Sequence, residues 1–221
     1  MKTLFIEARS NIEIKLPSFA YSKLPKNIAL LTTVQHIHKI NEVKKQLEKN
    51  KKKVSLLKGK HSKYKGQILG CDVLHLKPNK NIQAFLYIGT GVFHPKELLL
   101  TQEKPVFIYN PVSKKFYELD KKEIASIKKR KKGAYLKFLS SKSIGVIISI
   151  KPGQYNLKQA LKLKQKYKNK RFFYLLFDTV DLNELENFPF IECFVNTACP
   201  RIAYDDAIKT KKSIINIEDV L

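Results

Sequence analysis

The sequence predicts an α/β protein with two similar domains, each a mainly parallel sheet flanked by helices. Three observations carry this. Short apolar runs recur along the chain and alternate with stretches of helical periodicity, the pattern of a parallel sheet covered by helices. The alternation runs to about residue 120 and then restarts. The glycines, cysteines and histidines suited to ligands gather where apolar runs end, the rim at which open α/β sheets collect chemistry. Such halves are Rossmann-like in architecture, and the repeat lies in element order, not in residue identity.

Taken in order, Lys2 to Ile6 is a short apolar run, and Ile12, Ile14 and Leu16 alternate with polar residues. Both read as strands, too few to bury much alone, and Pro17 and Pro25 mark a linker. Residues 1–26 therefore stand apart from a first domain, 27–120, and a second, 121–221. In the first domain, strands are expected at Ile28–Val34, Val54–Leu57, Ala84–Ile88 and Val106–Tyr109, with a small edge strand at Phe116–Leu119. Ile37, Ile40, Val43 and Leu47 give Gln35–Lys49 helical periodicity, and Pro95–Leu100 reads as a second helix. Lys121–Leu139 reads as one long helix whose run Lys128-Lys129-Arg130-Lys131-Lys132 is a solvated face. In the second domain, strands at Ile144–Ile150, Phe172–Phe177, Ile191–Val195 and Ile214–Ile217 alternate with helices at Asn156–Tyr167, Leu182–Asn187 and Arg201–Ile208.

The chain has 221 residues and a formal charge of +24. Nearly all of the positive charge is Lys, with only Arg9, Arg130, Arg171 and Arg201 beside it. Recognition of phosphates and bases usually draws on Arg forks as well, so a solvated Lys surface is the preferred reading over an RNA partner or an acidic protein. No apolar run approaches the roughly 18 residues of a membrane span, so no membrane is expected. Met1–Ser10 lacks the apolar core and cleavage site of a signal peptide, and a cytoplasmic location is expected. Three cysteines make an odd number, which argues against a disulfide framework and leaves metal, cluster or redox use open.

Cys199 falls on the turn between an apolar strand and a helix-like stretch, with Pro200 suited to the helix start and Arg201 beside it. The positive end of a helix and a neighbouring guanidinium are surroundings that make a cysteine reactive. Cys71 follows the glycine-lined segment Gly66–Gly70, which opens a short helix. Cys193 lies within a strand and by alternation points away from Phe194's face, into packing. No CxxC occurs and the two rim cysteines are far apart, so a zinc finger is not expected. His36 and His38 lack the spacing of a helical zinc pair, and one of them reads as structural. His94, before Pro95, reads as a turn residue. No loop fits GxGxxG or a P-loop. Two thiols brought together from two domains suit a metal, an iron–sulfur cluster or a redox pair.

Four segments carry a resemblance: Thr32–Lys39, Gly66–Cys71, Tyr87–Pro95 and Asn196–Ala203. In these the chain resembles archaeal diphthamide synthase, 2-(3-amino-3-carboxypropyl)histidine synthase, the enzyme family of the first step of diphthamide formation. The resemblance runs from about residue 3 to the end. It implies three similar α/β domains, each giving one cysteine to a central 4Fe-4S cluster. S-adenosylmethionine is the co-substrate, and its 3-amino-3-carboxypropyl group passes by a radical route to a histidine of elongation factor 2. Cys71 matches the second-domain ligand and Cys199 the third-domain ligand. The first domain is absent apart from the tail, and Cys193 matches no cluster position. The resemblance thus implies a split enzyme, a partner chain supplying the third cysteine, and an oligomer of like or unlike chains. The strand ends are then expected to form the S-adenosylmethionine pocket, where Gly89 and Gly91 allow backbone approach, Gln35, Gln154 and Arg201 offer polar groups, and the Arg suits the methionine carboxylate. The alternatives are a non-catalytic accessory subunit of the synthase complex and a Lys-rich RNA-binding module.

Overall fold

The computed structural model describes residues 4, 6–151 and 153–221, and leaves the side chains of Cys71, Leu74 and His75 undescribed. It divides into two compact units, residues 1–124 and 125–221.

The first unit is built on a five-stranded sheet. Its strands are β1 (Asn27–Thr32), β2 (Lys53–Ser55), β3 (Ala84–Ile88), β4 (Val106–Asn110) and β5 (Lys115–Glu118). Their order is β2-β1-β3-β4-β5, parallel except for the β4–β5 hairpin. Along β1, Ile28 and Leu30 pack on one face while Ala29 and Leu31 pack on the other, and β3 divides in the same way. Both faces are therefore apolar, as a parallel sheet covered on two sides requires. The short helix α1 (Ser18–Lys23) and α2 (Ile40–Lys49) cover the first face, with Ala20, Ile40, Val43 and Leu47 buried. Helix α3 (Phe93–Gln102) covers the second through Leu98 and Leu99.

Differences from the expected elements are local. The expected helix at 35–49 starts as a 3-10 turn, Ile37–Lys39, and becomes α only at Ile40. The expected strand at Ile12–Leu16 is instead an extended strap, in which Ile14 and Leu16 are buried in the first unit's core. Its backbone is held by side chains. Gln46 Nε2 donates to the Ile14 carbonyl at 2.7 Å, Lys39 Nζ to those of Asn11 and Ile12 at 2.8 Å, and Tyr109 Oη to that of Lys15 at 2.7 Å. Of the expected strand Lys2–Ile6, residues 2, 3 and 5 lie outside the described residues. Leu4 and Ile6 are 84% and 85% exposed.

The second unit opens with α4 (Ala125–Ser140), preceded by a 3-10 turn at Lys121–Ile124 in the first unit. The expected single helix is split there; the Asp120 carboxylate accepts from Lys122 N at 2.9 Å and opens the turn. Its sheet comprises β6 (Ser143–Ser149), β7 (Arg171–Phe177), β8 (Cys193–Asn196) and β9 (Ile214–Asn216), all parallel in the order β7-β6-β8-β9. Helix α5 (Leu157–Lys166) follows β6, and α6 (Arg201–Tyr204) follows β8. The two faces again bury separate clusters, Val146, Ile148, Cys193 and Val195 on one and Ile147, Phe194 and Ile214 on the other. No described helix is long and apolar enough to cross a membrane.

Candidate functional site

Cys199 lies on the turn Thr197–Pro200, between the C-terminal end of β8 and the start of α6, and is partly buried. The turn is held by a frame of neutral amides. Asn196 Oδ1 accepts from Ala198 N at 3.1 Å, and Asn196 Nδ2 donates to the Cys199 carbonyl at 2.9 Å and to Asn216 Oδ1 at 2.7 Å. Asn216 Nδ2 donates to the Pro200 carbonyl at 3.0 Å, and Asn156 Nδ2 to that of Thr197 at 2.8 Å. Thr197 itself is pinned to the Ile147 carbonyl by its N–H at 3.0 Å and its hydroxyl at 2.8 Å. Asn196, Thr197 and Asn216 are each 1% exposed. A buried loop's carbonyls must find donors, and these side chains supply them. The sequence reading gave Asn156 and Asn216 no role here; an Asn at the head of α5 and another closing β9 were the available signal.

The helix after Cys199 is shorter than expected. It spans Arg201–Tyr204, with a 3-10 turn at Asp206–Lys209, because the consecutive Asp205 and Asp206 are weak helix-interior residues. Arg201 Nε donates to Asp205 Oδ2 at 2.7 Å. Cys193, by contrast, is 0% exposed and packs with Val195 and Ile215. Desolvation pushes its thiol up to about 12, so it stays protonated at neutral pH. Gln154, half-buried, and Gly153, with φ 81°, belong to the turn after β6.

In the first unit the rim residues come from three loops. Thr32, the last residue of β1, donates its hydroxyl to the Ile88 carbonyl at 2.7 Å and forms an isolated bridge with Gln67. That bridge ties segment 66–68 to the end of β1, and Cys71 follows three residues later in the backbone of a 3-10 helix, Gly70–His75. A Cβ on Gly70 would come within 2.8 Å of the Phe93 ring, so the glycine lets this helix close on the start of α3. Gly89 and Gly91 lie between β3 and α3, and Gly91, exposed with φ 78°, has open space where a Cβ would stand. Gln35, exposed, lies on the turn after β1. Gln35, Gly89 and Gly91 thus share the C-terminal rim of the first sheet with the Cys71 backbone. Gln154, Arg201 and Cys199 share that of the second.

Two further groups stand out here. Asp72, 1% exposed, accepts from the N–H groups of His61 and Ser62 at 2.9 and 2.8 Å and from the Ser62 hydroxyl at 2.7 Å. Burial pushes its carboxyl up, but these hydrogen bonds outweigh it and the net position is below the usual carboxylate value. Sequence reasoning missed this anchor, which fastens loop 59–62 to the Cys71 helix. His36 is 1% exposed with neither ring nitrogen hydrogen-bonded. Burial, then His38 and Lys39, push its pKa down and keep it neutral. His94 is inside α3, not on a turn, and stacks on Tyr87 with ring centroids 5.9 Å apart.

Comparison with known proteins gives one consistent answer. The family model described as putative diphthamide synthesis protein matches residues 1–220. A 2-(3-amino-3-carboxypropyl)histidine synthase of Pyrococcus horikoshii is 33% identical over 99% of this chain and 64% of its own length. One from Methanocaldococcus jannaschii is 34% identical over 63% of this chain and 42% of its own. The crystal structure of Dph2 from Pyrococcus horikoshii with a 4Fe-4S cluster superposes with a TM-score of 0.77 at 32% identity, covering 91% of this chain and 58% of that one. The chain thus spans less than two thirds of the length of these relatives.

Proposed function

The chain belongs to the diphthamide synthesis protein family, and from that membership we propose that it holds two of the thiolates of a 4Fe-4S cluster in a 2-(3-amino-3-carboxypropyl)histidine synthase. The observation that carries the reading is the contrast between two cysteines. Cys199 is only partly buried, on a rigidly framed rim turn, whereas Cys193 is closed into the core with a protonated thiol. Iron–sulfur clusters take thiolate donors, and Cys199 is placed to offer one. Cys71, on the rim of the other sheet, offers the second, and a third comes from a domain outside these 221 residues. When bound, the cluster supplies the electron that breaks the sulfonium bond of S-adenosylmethionine, whose 3-amino-3-carboxypropyl group passes to a histidine of elongation factor 2. Gly91 admits the co-substrate close to the main chain, whereas Gly89 is buried with the Tyr87 ring against it and serves the turn instead, and Gln35 and Gln154 offer amides. Arg201 meets the carboxylate, sharing its guanidinium with Asp205. The exposure of Leu4 and Ile6 supports an apolar docking surface for the domain that brings the third thiolate.

The test is anaerobic reconstitution with iron and sulfide, with and without a polypeptide carrying that domain. The mixture should show the broad cluster absorbance and cleave S-adenosylmethionine. Cys71→Ala and Cys199→Ala should each lose both, and Cys193→Ala should keep both. Full cluster content in the Cys71 or Cys199 variant sinks the reading. Binding to elongation factor 2 should survive about 0.15 M salt, unlike phosphate-driven RNA binding, which falls steeply.

A further inference from the structure

The second unit carries a cationic cavity apart from the cysteine turn. It has a volume of about 220 Å³ and is lined by Arg130 and Gly133 of α4, by Ala203 and Ala207 after the turn, and by Lys212 and Ser213 at the entry to β9. This is smaller than the roughly 300 Å³ at which sites for drug-sized ligands begin, so it suits one compact group. Arg130 spends Nη2 on the Tyr204 carbonyl at 2.6 Å, while its Nε is buried without an acceptor. No carboxylate pairs with Arg130 among the described residues. A buried guanidinium N–H with no acceptor is costly unless something outside the chain supplies one. Lys212, with a side chain 17% exposed, pairs with Glu186 at 3.8 Å, a long ion pair made by one of the three N–H groups its ammonium carries. The small residues on the walls leave the space open to these two cations.

We propose that this cavity binds a phosphate group, with Arg130 and Lys212 as its cationic ligands and the Ser213 hydroxyl as a further donor. The Nε–H of Arg130, a charge-assisted donor with no acceptor, matches a phosphate oxygen, and the Lys212 ammonium adds positive charge beside it. The exposed Lys129 and Lys132 of α4 raise the local concentration of anions. The site is independent of the cluster reading and stands or falls without it.

Titration of the full chain with inorganic phosphate and with adenosine monophosphate, by calorimetry in about 0.15 M salt, tests this. Saturable one-site binding is expected for at least one of them. Arg130→Gln and Lys212→Gln should each weaken it about tenfold or more, while Lys129→Gln on the exposed face should change it less than about twofold. Ala134→Leu, on the same cavity wall, should block binding with both charges kept. If loss of the Tyr204 contact unfolds the Arg130 variant, Ala134→Leu and Lys212→Gln together decide between site and surface. Tighter binding of the nucleotide assigns the phosphate to a nucleotide, and equal affinity assigns it to the free ion. Absence of saturable binding to both, or equal weakening by Lys129→Gln, overturns the proposal.

Discussion

Asn196→Ala should loosen the Cys199 turn more than any other single change near it. The substitution removes three hydrogen bonds at once: those to Ala198 N, the Cys199 carbonyl and Asn216 Oδ1. Each neutral bond contributes about 1 kcal/mol net, and a buried group left unpaired costs about 1–3 kcal/mol. Water reaches a collapsed turn in part, and such terms do not add, so the loss should be about 2–4 kcal/mol. In a unit of roughly 100 residues each kcal/mol is worth about 4–8 °C, so the second unit should melt about 8 °C lower or more. Circular dichroism reports the melting. Reactivity of Cys199 toward a thiol reagent, measured with Cys71 replaced by Ser, reports the turn itself and should rise. Asn216→Ala should be milder, and the double variant should fall short of the sum by about 1 kcal/mol, because the two amides share one bond. Unchanged melting together with unchanged thiol reactivity would show that the turn is held by packing and refute the reasoning.

Two further outcomes concern protons. The Asp72 carboxyl has its folded pKa below the ordinary 3.8, so its contribution is complete above that value and is lost as pH falls through the folded one. Urea midpoints between about pH 3 and 7 should therefore show a steeper acid limb for the wild type than for Asp72→Asn, which should also be less stable at pH 7 by about 1–3 kcal/mol; equal acid slopes would remove Asp72 from this role. Cys193 runs the other way. Its folded pKa, about 12, lies above the unfolded value near 9.0, so the unfolded chain releases its proton first and stability falls as pH rises across that window. Cys193→Ala should flatten this alkaline limb while costing about 1–2 kcal/mol at neutral pH through the space it leaves, and a wild-type-like limb would count against the assignment.

The order of elements was legible because both sheets bury two apolar faces, and the alternation survives in the residues themselves. Cys193 was legible as core for the same reason: one position along β8 separates it from Phe194, and the two lie in different clusters. What the sequence hid depends on partners distant along the chain. The strap at 12–16 has the alternation of a strand, yet its carbonyls are taken by Gln46 of α2 and by Lys39 of the 3-10 turn before it, so no sheet ladder forms. The Cys199 turn could be located from the strand before it, but not its frame, since Asn216 lies 20 residues beyond Asn196. Asp72 stood next to Cys71 in plain view, but its partners arrive from a loop ten residues upstream.

The amide frame around Cys199 has a consequence of its own. Asparagine has no proton to lose or gain in the physiological range and carries no net charge for salt to screen. The position of this thiol is therefore set by parts that ignore acidity and ionic strength alike. The backbone that carries Cys71 is fastened instead through a carboxylate, which responds to acid. The two cysteine-bearing segments should consequently fail in a fixed order on acidification, the first unit's loop releasing while the second unit's turn keeps its shape.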